Sequence, residues 1–177
     1  MRKSIFFADP DFPELPKYSE WGYNTFGAYY DRQPFISNET EVPLKVVQTD
    51  DKTSFVFTGQ KGVGYLEDSG LFSITITVAG SQAENYSDLI KFHNTTLQLA
   101  DSGLTVMVTG EVAADTVDIL QGEFQFVRAQ LLLVDQKPTE VILSGTFAFQ
   151  ALVDGQPVSV SDGRFDVAVQ EYNFFKY

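Results

Sequence analysis

The chain has 177 residues, of which 44% are hydrophobic and 20% charged, with a net charge of −12 and no cysteine. That length suits one domain able to bury a core without metal or disulfide, and the missing thiol excludes cysteine nucleophiles, iron–sulfur clusters and zinc–thiolate sites. An acidic chain without a basic run has nothing to offer nucleic acid phosphates or anionic membrane surfaces, and no segment reaches the roughly 20 apolar residues of a membrane-spanning helix.

Residues 1–20 read as an extended arm, because Pro10, Pro13 and Pro16 break both helical and strand periodicity. Arg2 and Lys3 precede Ile5-Phe6-Phe7, a run too short for the core of a signal peptide. Either the chain is cytosolic or a signal has been removed ahead of it. The rings of Phe6, Phe7, Phe12, Tyr18 and Trp21 favour an arm packed along the domain that spans 21–177.

Strand signals then recur at short intervals. Thr25 to Tyr30 and Pro34 to Ser37 flank Asp31-Arg-Gln33 and predict a hairpin. Strands follow at Leu44 to Gln48, Ser54 to Thr58 and Gly62 to Leu66. Phe72, Ile74, Ile76 and Val78 alternate with Ser73, Thr75 and Thr77, the pattern of a half-buried strand. Thr95 to Leu99 and Leu104 to Thr109 flank Asp101-Ser-Gly103 and predict a second hairpin. Glu123 to Leu133 reads as one long strand. Asn85 to Phe92 and Glu111 to Asp118 are the candidates for short helical turns.

The last third carries a register. Asp154-Gly155 suits a type I′ turn, which pairs Val153 with Gln156, Ala151 with Val158 and Phe149 with Val160. A second turn at Asp162-Gly163 would pair Val160 with Phe165 and Val158 with Val167; the alternative is a bulge within one long strand. Phe147, Phe149, Ala151, Val158, Val160, Phe165, Val167 and Val169 then share one face, and Gln150, Ser159 and Asp166 the other. Asp166 and Arg164 would share that outer face, where an ion pair would be worth about 0–1 kcal/mol and simple solvated strand polarity suffices to explain them. The expected fold is all-β: a single-domain antiparallel β-sandwich of about ten strands with little helix, or alternatively a flattened lipocalin-like barrel.

Few residues suggest chemistry. His93 is the sole histidine, and no Gly-x-Ser-x-Gly elbow accompanies it, so it reads as a loop residue. Asp50-Asp51 lacks the spaced oxygens of a calcium loop. Asp154 and Asp162 read as turn residues. No catalytic residue, metal ligand or cofactor is expected. The sequons at Asn38, Asn85 and Asn94 are short enough to arise by chance. Trp21, Tyr23, Tyr29 and Tyr30, with Phe26 and Phe35 between and after them, are the candidate ligand-binding surface. Exposed aromatic platforms stack on sugars and anchor partners, while alternate rings in a strand fill a core.

Two segments together carry a family resemblance. Asn24-Thr-Phe-Gly-Ala-Tyr29 followed by Gln33-Pro-Phe35, and Ser144-Gly-Thr-Phe-Ala-Phe149 with Ser161-Asp-Gly-Arg-Phe-Asp-Val167, resemble the two ends of small uncharacterised envelope lipoproteins of Bacteroidota. This chain lacks the lipidated cysteine and adds an aromatic extension, Gln170 to Tyr177, expected to form or cover a sheet edge. The resemblance implies the periplasm or outer-membrane surface and a possible lipid tether, and no reaction. The function expected is a non-enzymatic envelope accessory or binding domain with a protein or glycan partner. Alternatives are a binder of a small apolar or glycan ligand in an inter-sheet or barrel pocket, and a carboxylate-dependent hydrolase.

Overall fold

A computed structural model describes residues 3–38, 42–62, 71–110 and 114–177. Twelve strands form among them: β1 (Thr25–Tyr30), β2 (Gln33–Ile36), β3 (Leu44–Thr49), β4 (Lys52–Lys61), β5 (Leu71–Ala79), β6 (Thr95–Gln98), β7 (Leu104–Thr109), β8 (Ala114–Thr116), β9 (Asp118–Val134), β10 (Lys137–Val153), β11 (Gln156–Val169) and β12 (Phe174–Lys176). They make one curled sheet in the order β6-β9-β10-β11-β1-β2-β4-β5-β7-β8, with β3 beside β4 and β12 beside β3. The class is all-β, and among the described residues helix is limited to two short 3-10 segments, Tyr86–Phe92 and Glu171–Asn173. The two facing layers belong to one hydrogen-bonded sheet rather than to two.

Aromatic side chains hold the curl closed. The Phe57 ring of β4 lies 5.3–5.9 Å from those of Phe26, Phe124, Phe147 and Phe165, so one half of the sheet clamps the other. Phe124 stacks on Phe165 at 5.0 Å with an interplanar angle of 18°. Phe26, Phe35, Phe55, Phe57, Phe124, Phe126 and Phe165 are each under 2% exposed. Burying one such ring stabilises the fold by about 1.5–3 kcal/mol.

Three two-residue turns share left-handed backbone: Asp31-Arg32 (φ 47 and 69), Asp135-Gln136 (φ 50 and 64) and Asp154-Gly155 (φ 50 and 74). Their twist matches that of the flanking strands. The first closes the expected β1–β2 hairpin one residue earlier than predicted, with Tyr30 paired to Gln33. The last sets the expected register, with Val153 opposite Gln156, Ala151 opposite Val158 and Phe149 opposite Val160.

Several expectations are corrected. Asp162-Gly163 is not a turn but a bulge inside β11: Phe149 faces Val160 and Phe147 faces Gly163, so β11 spends one more residue than β10. Asp162 has φ 53, and a Cβ on Gly163 would lie 2.4 Å from the Phe147 carbonyl oxygen. β6 and β7 are not a hairpin. β6 pairs with β9, and β7 with β5 and β8; the Asp101-Ser-Gly103 turn carries the chain across the core from one layer to the other. The short helix at 85–92 forms, capped by the Asn85 side chain, whereas within 111–118 the described residues 114–116 are strand β8. The expected strand at 62–66 lies, past Gly62, outside the described residues. β12 runs parallel to β3, so the aromatic extension does add an edge strand, and the sheet is mixed rather than wholly antiparallel.

Candidate functional site

The arm packs on the outer face of β10, β11 and β1, and the Asp166 carboxylate ties its end there. Asp166 lies on that face, as its parity requires, but it is 1% exposed because the arm covers it. Its oxygens accept hydrogen bonds from Ser19 Oγ at 2.5 Å, from the backbone N–H groups of Trp21, Gly22 and Tyr23 at 3.1, 2.6 and 3.2 Å, and from Ser144 Oγ at 3.1 Å. Five donors compensate a charge that would otherwise be costly to bury. Asp166 is thus not a solvated strand residue, and it does not pair with Arg164. Arg164 reaches Asp9 of the arm at 2.7 Å, both side chains being largely shielded, and its guanidinium lies 5.3 Å from the Phe12 ring centroid. Leu15 is fully buried, seated over Gly27.

The arm leaves part of the outer face open. Two adjoining hollows, of about 490 and 420 Å³, lie along β9, β10 and β11. Both are lined by Glu123 and Ala148; the first adds Gln98, Gln121, Gln150 and Ser159, the second Tyr18, Thr146, Asp162 and Arg164. The floor is low because its central residues are small. The side chains stand in cross-strand rows: Gln121, Gln150 and Ser159 are direct neighbours, as are Gln98, Glu123 and Ala148. Gln121 Nε2 donates to Gln150 Oε1 at 2.9 Å, and Gln98 Nε2 to Glu123 Oε2 at 3.4 Å. The end wall is fixed by a relay in which Tyr18 OH donates to Glu20 Oε1 at 2.9 Å and Arg128 Nη1 donates to Glu20 Oε2 at 3.1 Å. Burial, reinforced by the Glu20 carboxylate, pushes the Tyr18 phenol far above its ordinary value.

The four aromatic candidates do not form one platform. Trp21 is 68% exposed. Tyr23 packs its ring 5.9 Å from Phe7. Tyr29 lies on the outer face, its ring 6.0 Å from Phe12 and its hydroxyl donating to Glu14 Oε2 at 3.2 Å; burial and that carboxylate raise its pKa. Tyr30 points the other way, into the core against Phe72 at 4.9 Å, and burial, then the charges of Asp31 and Asp154, raise its pKa too. Trp21 and Tyr23 follow directly on the arm, where their backbone N–H groups both donate to Asp166.

His93 accepts the Ala129 N–H on Nδ1 at 3.2 Å, beside an irregularity in β9, which gives the lone imidazole a structural job. Among the described residues no group of three or more His, Asp or Glu is placed to hold a metal ion, and no helix is long and apolar enough to cross a membrane. Of the polar residues lining the first hollow, Gln98, Gln121 and Glu123 escaped the sequence reading. Parity put Gln150, Ser159 and Asp166 on the outer face, but nothing local says that the arm covers Asp166 and leaves the other two open. No known protein family, curated protein or solved structure matches the chain.

Proposed function

We propose that this protein is a non-enzymatic binding domain whose recognition surface is the open trough on the outer face of β9, β10 and β11, serving as an accessory of the cell envelope. The observation that carries the reading is the pre-formed trough itself. Its floor is a three-stranded sheet backed by the Phe core, its lining side chains are tied to one another, and its end wall is held by the Tyr18–Glu20–Arg128 relay. Such a surface loses little freedom on binding. The space between the two layers, where an inter-sheet ligand would sit, is occupied by phenylalanine rings. The envelope address rests on the resemblance of Asn24–Tyr29 and Ser144–Val167 to envelope lipoproteins.

The test is an amide NMR titration with a soluble extract of bacterial envelope components. Binding in the trough moves resonances of Gln121, Glu123, Ala148, Gln150 and Ser159, and Ala148→Arg, which fills the floor, abolishes the response. Shifts confined to the arm around Trp21 would instead assign recognition to the aromatic surface, and no shifts at all would sink the binding reading.

A further inference from the structure

Resting on the trough as a binding site, we infer that its ligand is a neutral oligosaccharide. The argument is one of hydrogen-bond chemistry and spacing. Gln121, Gln150 and Ser159 form one row across three adjacent strands, so polar side chains recur every ~4.8 Å, about the width of a pyranose ring. Gln98 and Glu123 begin the next row, in which Ala148 leaves room above the floor. The amide pair Gln121–Gln150 uses one donor and one acceptor, and each glutamine has a further donor and acceptor to present outward. A ligand rich in hydroxyls, each able to donate and accept, answers such a lining. An apolar ligand would strip these groups of water without replacing their hydrogen bonds.

Charge narrows the class. Glu123 and Asp162 are exposed carboxylates on opposite sides of β10, in a chain of net charge −12. The one cation in the lining, Arg164, is already engaged by Asp9. Phosphorylated or uronate ligands would meet repulsion there, whereas neutral hydroxyls donate readily to carboxylates. Tyr18, fixed by Glu20, lines the far end of the trough, where an aromatic ring can pack on the apolar face of a sugar.

The experiment is a matched panel of hexasaccharides followed by amide NMR: neutral (cellohexaose, mannohexaose, maltohexaose), cationic (chitosan hexamer) and anionic (hexagalacturonate). At least one neutral member is expected to shift the side-chain amides of Gln98, Gln121 and Gln150, with the anionic member silent. Gln150→Ala and Gln121→Ala, both at exposed positions, should each weaken that binding at least five-fold without moving the melting temperature. Binding by the chitosan hexamer alone would overturn the inference in favour of a cation-selective trough. No response to any neutral member, while the envelope extract still shifts the trough, would overturn the ligand class but keep the site. Release of new reducing ends from a bound neutral member would overturn the non-enzymatic reading and keep the ligand class.

Discussion

Asp166 and Gly22 lie 144 positions apart in the chain, and the Gly22 N–H donates to Asp166 Oδ1 at 2.6 Å. This contact makes the arm part of the domain. Removing the carboxylate with Asp166→Ala leaves buried donors at Gly22 and Ser144 without an acceptor. Each such loss costs about 1–3 kcal/mol, so urea denaturation should report a loss of about 3 kcal/mol or more. Limited proteolysis should find new cuts within residues 3–24. An arm that stays protected in the variant would show that its remaining contacts, Leu15 and the Asp9–Arg164 pair, are sufficient.

The Asp9–Arg164 pair gives the arm a pH dependence. Burial raises the Asp9 pKa, but the N–H groups of Asp11 and Phe12 and the Arg164 charge together outweigh it and hold the carboxyl below its usual 3.8. A folded-state pKa below the unfolded one contributes stability above the unfolded value, and that stability is lost as pH falls through the folded value. Arm protection should therefore weaken in acid below about pH 4, and Asp9→Asn should remove that component. A double-mutant cycle of Asp9→Ala with Arg164→Ala should give a coupling of about 1 kcal/mol at neutral pH; zero coupling would make the pair incidental.

Register in β10 is checked by neighbours of opposite parity. Phe149 is 3% exposed, so Phe149→Asp buries an unpaired charge and should cost at least about 4 kcal/mol. Gln150→Asp on the exposed face should change stability by less than about 0.5 kcal/mol. Similar melting temperatures for the two variants would contradict the register.

Gly145 is a steric requirement. An added Cβ would sit 1.9 Å from the Gln125 carbonyl oxygen and 2.7 Å from Phe165 Cζ, between backbone and core. Gly145→Ala should cost about 3 kcal/mol or more. Gly155, with φ 74 and open space around it, needs only its left-handed backbone, so Gly155→Val should cost about 1–2 kcal/mol. Thermal unfolding of the two variants side by side measures the difference between collision and conformational strain.

Period-two alternation made the core face of β10 and β11 legible, and Asp154-Gly155 made their register legible. The second Asp-Gly was misread for a definite reason. A two-residue turn and a one-residue bulge both put Val160 and Phe165 on the same face, so parity alone cannot separate them. What decides is the partner strand, since Gly163 sits against the Phe147 carbonyl. The β9–β10 turn at Asp135-Gln136 was invisible because it adopts left-handed backbone without a glycine. The trough was partly legible: Gln150 and Ser159 followed from alternation, Gln98, Gln121 and Glu123 did not, and its boundary is drawn by an arm whose docking depends on Asp166, far along the chain.

The pairing of β1 with β11, and of Trp21 to Tyr23 with Asp166, has a meaning for synthesis. During synthesis Gly22 leaves the ribosome 144 positions ahead of Asp166, and β1 well ahead of β11. Until β11 emerges, the β11-facing edge of β1 and the N–H groups of Trp21, Gly22 and Tyr23 lack their native partners. Long-range pairings of this kind fold slowly and leave apolar strands open to association while they wait. A nascent chain stalled before Ser144 would therefore carry β1 with that edge unpaired.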